Sequence, residues 1–319
     1  MCSSDLMFHH FHDTIKHITG QGSISAKEFR SILDYYAETY NIISADEFLY
    51  KSQNNLLSNV DVCLSFDDGL LCQYDVALPV LDEKGIKAFW FVYTSPIDGV
   101  LEKLEVYRHF RFSKFNDIED FYRAFFRIAE DIDGTVSDRL KSFNPDEYAK
   151  ECPFYTPNDK RFRYLRDRVL EGNAYDVIMN KMINEYGYDV AGNSGLLWLK
   201  AEHITNLYNA GHIIGLHSHT HPTVMIKKGV DGQLQEYSTN KERLESIIHD
   251  RIISVSYPCN SCNHDTFTIM RNLGIVIGFR ATMANEVMED IKLEYPREDH
   301  ANILREIRSA ENEYNSIHE

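Results

Sequence analysis

No run of 18 apolar residues occurs in this 319-residue chain, so a membrane-spanning helix is not expected. Met1 to Phe8 carries no charged leader followed by an apolar stretch, so it does not read as a signal peptide, and a cytoplasmic location is the expectation. Long basic runs are missing too. Arg161, Arg163, Arg166 and Arg168 come nearest, but Asp167 interrupts them and a surface helix accounts for them. With Lys plus Arg at 33 against Asp plus Glu at 49, the formal charge of −16 sets the chain against nucleic acid and anionic lipid. The six cysteines (2, 63, 72, 152, 259 and 262) are scattered, as in a reduced protein rather than a disulfide framework. Cys259 and Cys262 form a Cys-x-x-Cys, but no second pair accompanies it, and the loop reads as a pocket wall. Internal repeats and low-complexity tracts are absent.

What the chain does have is apolar material: 43% hydrophobic and 12% aromatic residues, enough for a large core. Its length suits a single α/β barrel. Met7 to Asp13 is a short apolar and His-rich run that fits a first strand. Ser25 to Glu28 reads as a capping box, and Phe29, Ile32, Leu33 and Tyr36 follow at helical spacing. Val60 to Phe66 reads as a buried strand, 74–83 as a helix stopped before Gly85, and Ile86 to Tyr93 as the next strand. This strand–helix–strand rhythm implies a parallel pair with a right-handed crossover. It returns near residue 199, with helices over 201–209, 242–249 and 266–273. The strands there are 213–216, 252–257, 275–279 and, last, 293–297. An α/β fold with a parallel sheet follows.

Residues 96–196 break the rhythm. Ile118, Phe121, Tyr122 and Phe125 are spaced for a helix, as are Tyr175, Ile178 and Met182. The stretch reads as a helical insertion in a single domain spanning 1–319. It serves either as a packed excursion with its own small core or as a lid over the strand ends.

Chemistry concentrates at two places. Ser65-Phe66-Asp67-Asp68-Gly69 sets adjacent carboxylates at the end of a buried strand. A turn at the glycine can aim both into one pocket, so that one binds a metal and the other stays free as a base; alone, such a triplet is an ordinary turn. His217-Ser218-His219-Thr220-His221 follows another strand, and a spacing of four lets His217 and His221 reach one ion. Two His and one Asp make a common hydrolytic metal set with open positions for water and a substrate oxygen. His9, His10 and His12 form a further cluster, with strand alternation placing His10 and His12 on one face; Arg297-Glu298-Asp299-His300 is another.

Ser65 to Gly69 resembles the first motif of the polysaccharide deacetylases (NodB homology domain, carbohydrate esterase family 4), and His217-Ser218-x-x-His221 resembles their second. Ala77 to Leu81, Gly85 to Val92 and Ala210 to Gly215 fit the connecting text. The resemblance covers about 60–95 and 199–280. It implies a distorted (β/α)7-type barrel and one divalent metal ion, zinc, held by Asp68, His217 and His221, with Asp67 as general base. Departures exist. Tyr257-Pro258-Cys259-Asn260 lacks the Arg, the second Tyr and the Gly of the third motif, and the late Leu-x-His is not clear. Arg297 is then the expected substitute that orients Asp67, and His300 or a histidine of the first strand the expected acid. His10, His12 and Tyr257 are expected to contact substrate. The implied reaction is hydrolysis of an N-acyl, N-acetyl, group on an amino sugar or glycan, with a backbone N–H near Tyr257 assisting the oxyanion. The cytoplasmic expectation favours a nucleotide-linked or lipid-linked precursor. The alternatives are another amide or imide hydrolase on the same scaffold, and a carbohydrate-binding relative without catalysis. Sequence leaves the oligomeric state open.

Overall fold

The computed structural model describes residues 5–148, 155–281 and 290–318. It divides into two compact units, one of Met1–Glu102 with Leu196–Glu319 and one of Lys103–Gly195.

The first unit is built on parallel strands: β1 Asp5–Phe8, β2 Asn41–Ile42, β3 Asp61–Phe66, β4 Phe89–Val92, β5 Ile213–Leu216, β6 Ser254–Ser256, β7 Ile277–Phe279 and β8 Arg297–Asp299. Their order is β7-β6-β5-β4-β3-β1-β8, with β2 attached to β3 outside this path. The two ends meet just before β8. Tyr295 pairs in parallel with Phe279, donating its N–H to Gly278 O (2.8 Å) and accepting from Arg280 N–H (2.9 Å). Seven strand segments thus form a distorted (β/α) barrel.

Strand β3 is buried along its whole length, as parallel strands covered on both faces must be. Its alternation sends Cys63 and Ser65 one way and Leu64 and Phe66 the other. Phe66 stacks on Trp90 (4.5 Å) and meets Phe29 (6.0 Å) of the helix Ala26–Ala37. That helix starts at the expected capping box, Ser25 Oγ accepting from Glu28 N–H at 3.2 Å. It buries the expected stripe of Phe29, Ile32, Leu33 and Tyr36, each such side chain worth roughly 1.5–3 kcal/mol. Phe48, from the helix Ala45–Gln53, packs against Phe89, Phe279 and Tyr295.

Three expectations shift. β1 ends at Phe8 rather than Asp13, so the alternation argument for His10 and His12 does not apply. The final strand is Arg297–Asp299 rather than 293–297, because Ile291–Leu293 coils into a 3₁₀ turn. The helix expected over 242–249 runs over Gly229–Ile248; Gly229 and Gly232 disguised its beginning. Among the described residues, no helix is long and apolar enough to cross a membrane.

The second unit is helical. Its main helices are Lys103–Lys114, Ile118–Ile132, Pro157–Tyr164 and Ala174–Glu185. Asp117 and Thr156 cap two of them by accepting backbone N–H bonds. Its core is aromatic, with Phe121 and Phe125 packing edge-on against Phe162 (5.4 and 4.9 Å).

Two predictions follow from the barrel. A Cβ at Gly278 would lie 2.5 Å from the backbone oxygen of Leu293 and 2.8 Å from Tyr257 Oη, beside the closing bridge. Gly278→Ala is therefore expected to lower stability by about 1–3 kcal/mol in thermal unfolding. His212 is buried, and its Nδ1 accepts from Ala88 N–H (3.1 Å) and Trp90 Nε1–H (3.2 Å). Burial holds its pKa down to about 4 from 6.5. A depressed histidine pKa means stability is complete above 6.5 and is lost as pH falls toward 4. Denaturant titrations should show a loss on the order of 3 kcal/mol over that window, and a shallower one in His212→Asn.

Candidate active site

The polar residues sit where strands end, the face on which such barrels carry their chemistry. Asp67 and Asp68 follow β3, His217 follows β5, Ser256 closes β6 and His9 follows β1. The turn after β3 is steep: Asp68 has φ 74° and Gly69 φ 59°. A Cβ at Gly69 would stand 2.8 Å from Val92 Cγ1, so only glycine lets the chain pass there. Gln73 secures this turn, its Nε2 donating to the backbone oxygens of Asp67 (2.5 Å) and His9 (2.8 Å).

Asp67 is buried and gripped by Arg297, which is 1% exposed. Arg297 Nη1 donates to Asp67 Oδ1 (2.8 Å) and Nη2 to Oδ2 (2.6 Å), a fork-to-fork pair. The other donors go to Ser65 Oγ (3.0 Å), Ser256 Oγ (2.7 Å) and Arg280 O (2.8 Å), so all five N–H groups are satisfied. Ser256 Oγ in turn donates to Asp67 Oδ2 (2.9 Å). Burial alone would push the Asp67 carboxyl up, but Arg297 outweighs it and brings the pKa down to about 2. Asp5 lies level with Arg297 across the β1–β8 pairing, fully buried, with neither carboxylate oxygen hydrogen-bonded. Burial pushes its pKa up to about 8 against the pull of Arg297, leaving it neutral at pH 7.

Asp68, His217 and His221 converge beside this pair. Asp68 Oδ1 stands 3.3 Å from His217 Nε2 and 3.2 Å from His221 Nε2, and one ligand atom from each residue lies within 4.8 Å of the others. His217 Nδ1 donates to Ser256 O (2.9 Å), which leaves the lone pair on Nε2 facing Asp68. Asp68 Oδ1 is buried and accepts no hydrogen bond. A buried anionic oxygen facing two imidazole nitrogens is a donor set that fits a divalent cation.

The loop carrying both histidines is held from behind. Asn240 Oδ1 accepts from His217 N–H (3.0 Å), and its Nδ2 donates to Val92 O (2.9 Å). Glu236 accepts from the N–H groups of His219 (3.1 Å) and Thr220 (2.8 Å). Ser218 and His221 both have positive φ, 63° and 51°. His219 turns away to Thr94 Oγ1 (3.0 Å).

The remaining expected residues lie elsewhere. His300 is buried with Nδ1 3.3 Å from Met7 O and Nε2 2.9 Å from Gly22 O, so both ring nitrogens face backbone oxygens. The Tyr257 side chain is fully buried with an unpartnered hydroxyl, and its N–H is engaged by Phe279 O (3.3 Å); neither is offered to a substrate or an oxyanion. His12 bonds Ser23 Oγ (2.9 Å). His10 lies beyond β1, its ring 6.4 Å from that of His9. The histidine that reaches the acid is His9, with Nε2 4.0 Å from Asp67 Oδ2 and a side chain 26% exposed. Sequence reading singled out none of Asn240, Glu236, Gln73 and Asp5, and took Ser256 only as the head of the loop after a strand. Only the position of Ser256 at a strand end signalled it.

Residues 174–278 match the family model for polysaccharide deacetylase, a span holding His217, His221 and Ser256 but not Asp67 or Arg297. No curated protein is significantly similar to the chain in sequence. Solved structures share its fold. A Streptococcus pyogenes deacetylase, PplD, in complex with acetate aligns with TM-score 0.55 at 16% identity, over 96% of this chain and 97% of that one. A de-N-acetylase from Aggregatibacter actinomycetemcomitans gives 0.54 at 13%, over 92% and 93%. IcaB from Ammonifex degensii gives 0.50 at 16%, over 92% and 85%.

Removing one partner of a buried ion pair strands the other. Arg297→Met should therefore cost about 3–5 kcal/mol in denaturant unfolding. Adding Asp67→Asn should recover part of that loss; a double-mutant cycle with no coupling would refute the linkage.

Proposed function

We propose that the chain is a divergent polysaccharide deacetylase that hydrolyses an N-acyl group, N-acetyl, from an amino sugar in surface polysaccharide or glycoconjugate biosynthesis. The observation that carries this reading is the convergence of Asp68, His217 and His221 beside an aspartate clamped by a buried arginine. Asp68, His217 and His221 would hold one divalent metal ion, zinc. When bound, such an ion supplies Lewis-acid polarisation of the acyl oxygen and acidifies a water.

The chain's own groups do the rest. Asp67 is the general base, taking a proton as water oxygen bonds to the amide carbon. Arg297 and Ser256 fix both of its oxygens, so its orientation is set before substrate arrives. Its low pKa makes it a weak base but keeps it ionised throughout the neutral range. His9 is the general acid, protonating the nitrogen as the C–N bond breaks; it replaces His300, whose nitrogens are taken up by backbone.

Elemental analysis should find about one metal per chain, lost in the double variant His217→Ala, His221→Ala. With acetate release from N-acetylated amino sugars as the assay, Asp67→Asn and His9→Ala should each fall by about 10²–10⁴-fold. Both should keep the metal. A wild type that takes up no metal after zinc or cobalt addition would overturn the proposal.

A further inference from the structure

The arginine-rich stretch does not behave as a simple surface helix. Arg163 lies over the Tyr155 ring (4.0 Å) and its Nε donates to Asp159 Oδ1 (2.9 Å). Arg166 grips Asp167 through Nε (2.6 Å) and Nη2 (3.0 Å) and stands 5.7 Å from the Phe162 ring centroid. From the helix Lys103–Lys114, Arg111 reaches the same ring at 5.5 Å, and also Phe121 (5.6 Å) and Phe112 (5.4 Å).

Among the described residues, charge does not balance here. Asp159 and Asp167 are taken up by Arg163 and Arg166. Among the described residues, no carboxylate pairs with Arg111, and its Nε is buried without a hydrogen-bond partner. Burial and the two neighbouring guanidiniums push its pKa below the ordinary value, against the pull of Tyr175 and Tyr122. Aromatic faces offer a cation partial compensation, but they accept no N–H bond in the guanidinium plane. A half-buried cation with an unfilled, buried Nε beside two like charges is unfavourable unless an anion joins it. Guanidiniums gathered at one ring, each with a fixed fork, suit an oxyanion of several acceptor oxygens better than a single carboxylate.

We propose that Arg111 and Arg166, around Phe162 in the helical unit, form a binding site for a phosphate group, free or carried by a sugar. The site needs none of the residues assigned to hydrolysis, so the two readings stand or fall separately.

Calorimetry and thermal unfolding of the full chain, in chloride buffer at matched ionic strength, test this with inorganic phosphate, N-acetylglucosamine 1-phosphate and glucuronate. Saturable binding of about one phosphate per chain is expected, with a rise in Tm. Tighter binding of the sugar phosphate identifies a phosphorylated sugar as the ligand, and equal binding identifies free phosphate. Arg111→Met should weaken phosphate by about tenfold or more. It should also raise Tm without phosphate, because a buried, unfilled donor and a like charge have gone. Arg166→Gln, expected to weaken binding similarly, serves if Arg111→Met fails to fold. His217→Ala, His221→Ala should bind phosphate as the wild type does. Absent saturable binding, a preference for glucuronate, unchanged affinity in the arginine variants, or loss in the histidine variant would each overturn the proposal.

Discussion

A guanidinium with no access to water has to find five acceptors, and the barrel interior is arranged around that demand. Arg297 rises from the level of Asp5 and Cys63, passes Ser65 and ends on Asp67 and Ser256. The acceptors come from three parts of the ring: β3 with the turn after it, the end of β6 and the segment after β7. The charge can be held only if the ring closes and those parts stay in register. Small residues make the room. Ser65 and Ser256 stand where larger side chains would fill the interior, and Gly278 lets the segment before β8 approach β7. Asp5 bears the remaining consequence: burial pushes its carboxyl pKa up to about 8, against the pull of an arginine whose donors are all taken.

Asp67 and Asp68 are neighbours in sequence with opposite surroundings. One faces a cation that saturates both of its oxygens; the other faces nitrogen lone pairs and has an oxygen with nothing to accept. The left-handed turn after Phe66 separates them within two residues, so a clamped carboxylate stands beside one that meets two imidazoles. Ser256 serves both, its hydroxyl on Asp67 and its carbonyl on His217.

Much of this was legible in the sequence. The apolar runs gave most of the strands, and the resemblance pointed to seven around a barrel. The two motifs named Asp67, Asp68, His217 and His221, because turn chemistry after a buried run is local. Arg297 was reachable as the spare cation after the last strand. What stayed hidden depended on distances across the ring. Where β1 stops decides between His9 and His12, and no residue near Phe8 announces that end. Asn240 and Glu236 read as ordinary polar positions on a helix whose start was masked by glycines. Asp5 opens a strand, where an exposed carboxylate is the usual meaning. His300 looked available until both ring nitrogens were seen facing backbone oxygens.

Asp68, Ser218 and His221 all sit in the left-handed region of backbone space, which costs an ordinary residue about 1–2 kcal/mol, glycine nothing, and asparagine or aspartate less. The loops that aim these side chains therefore carry conformational strain, sustained by Glu236, Asn240 and Gln73 beneath them. A lineage that no longer needed the chemistry would gain stability by drifting to glycine or asparagine at these positions.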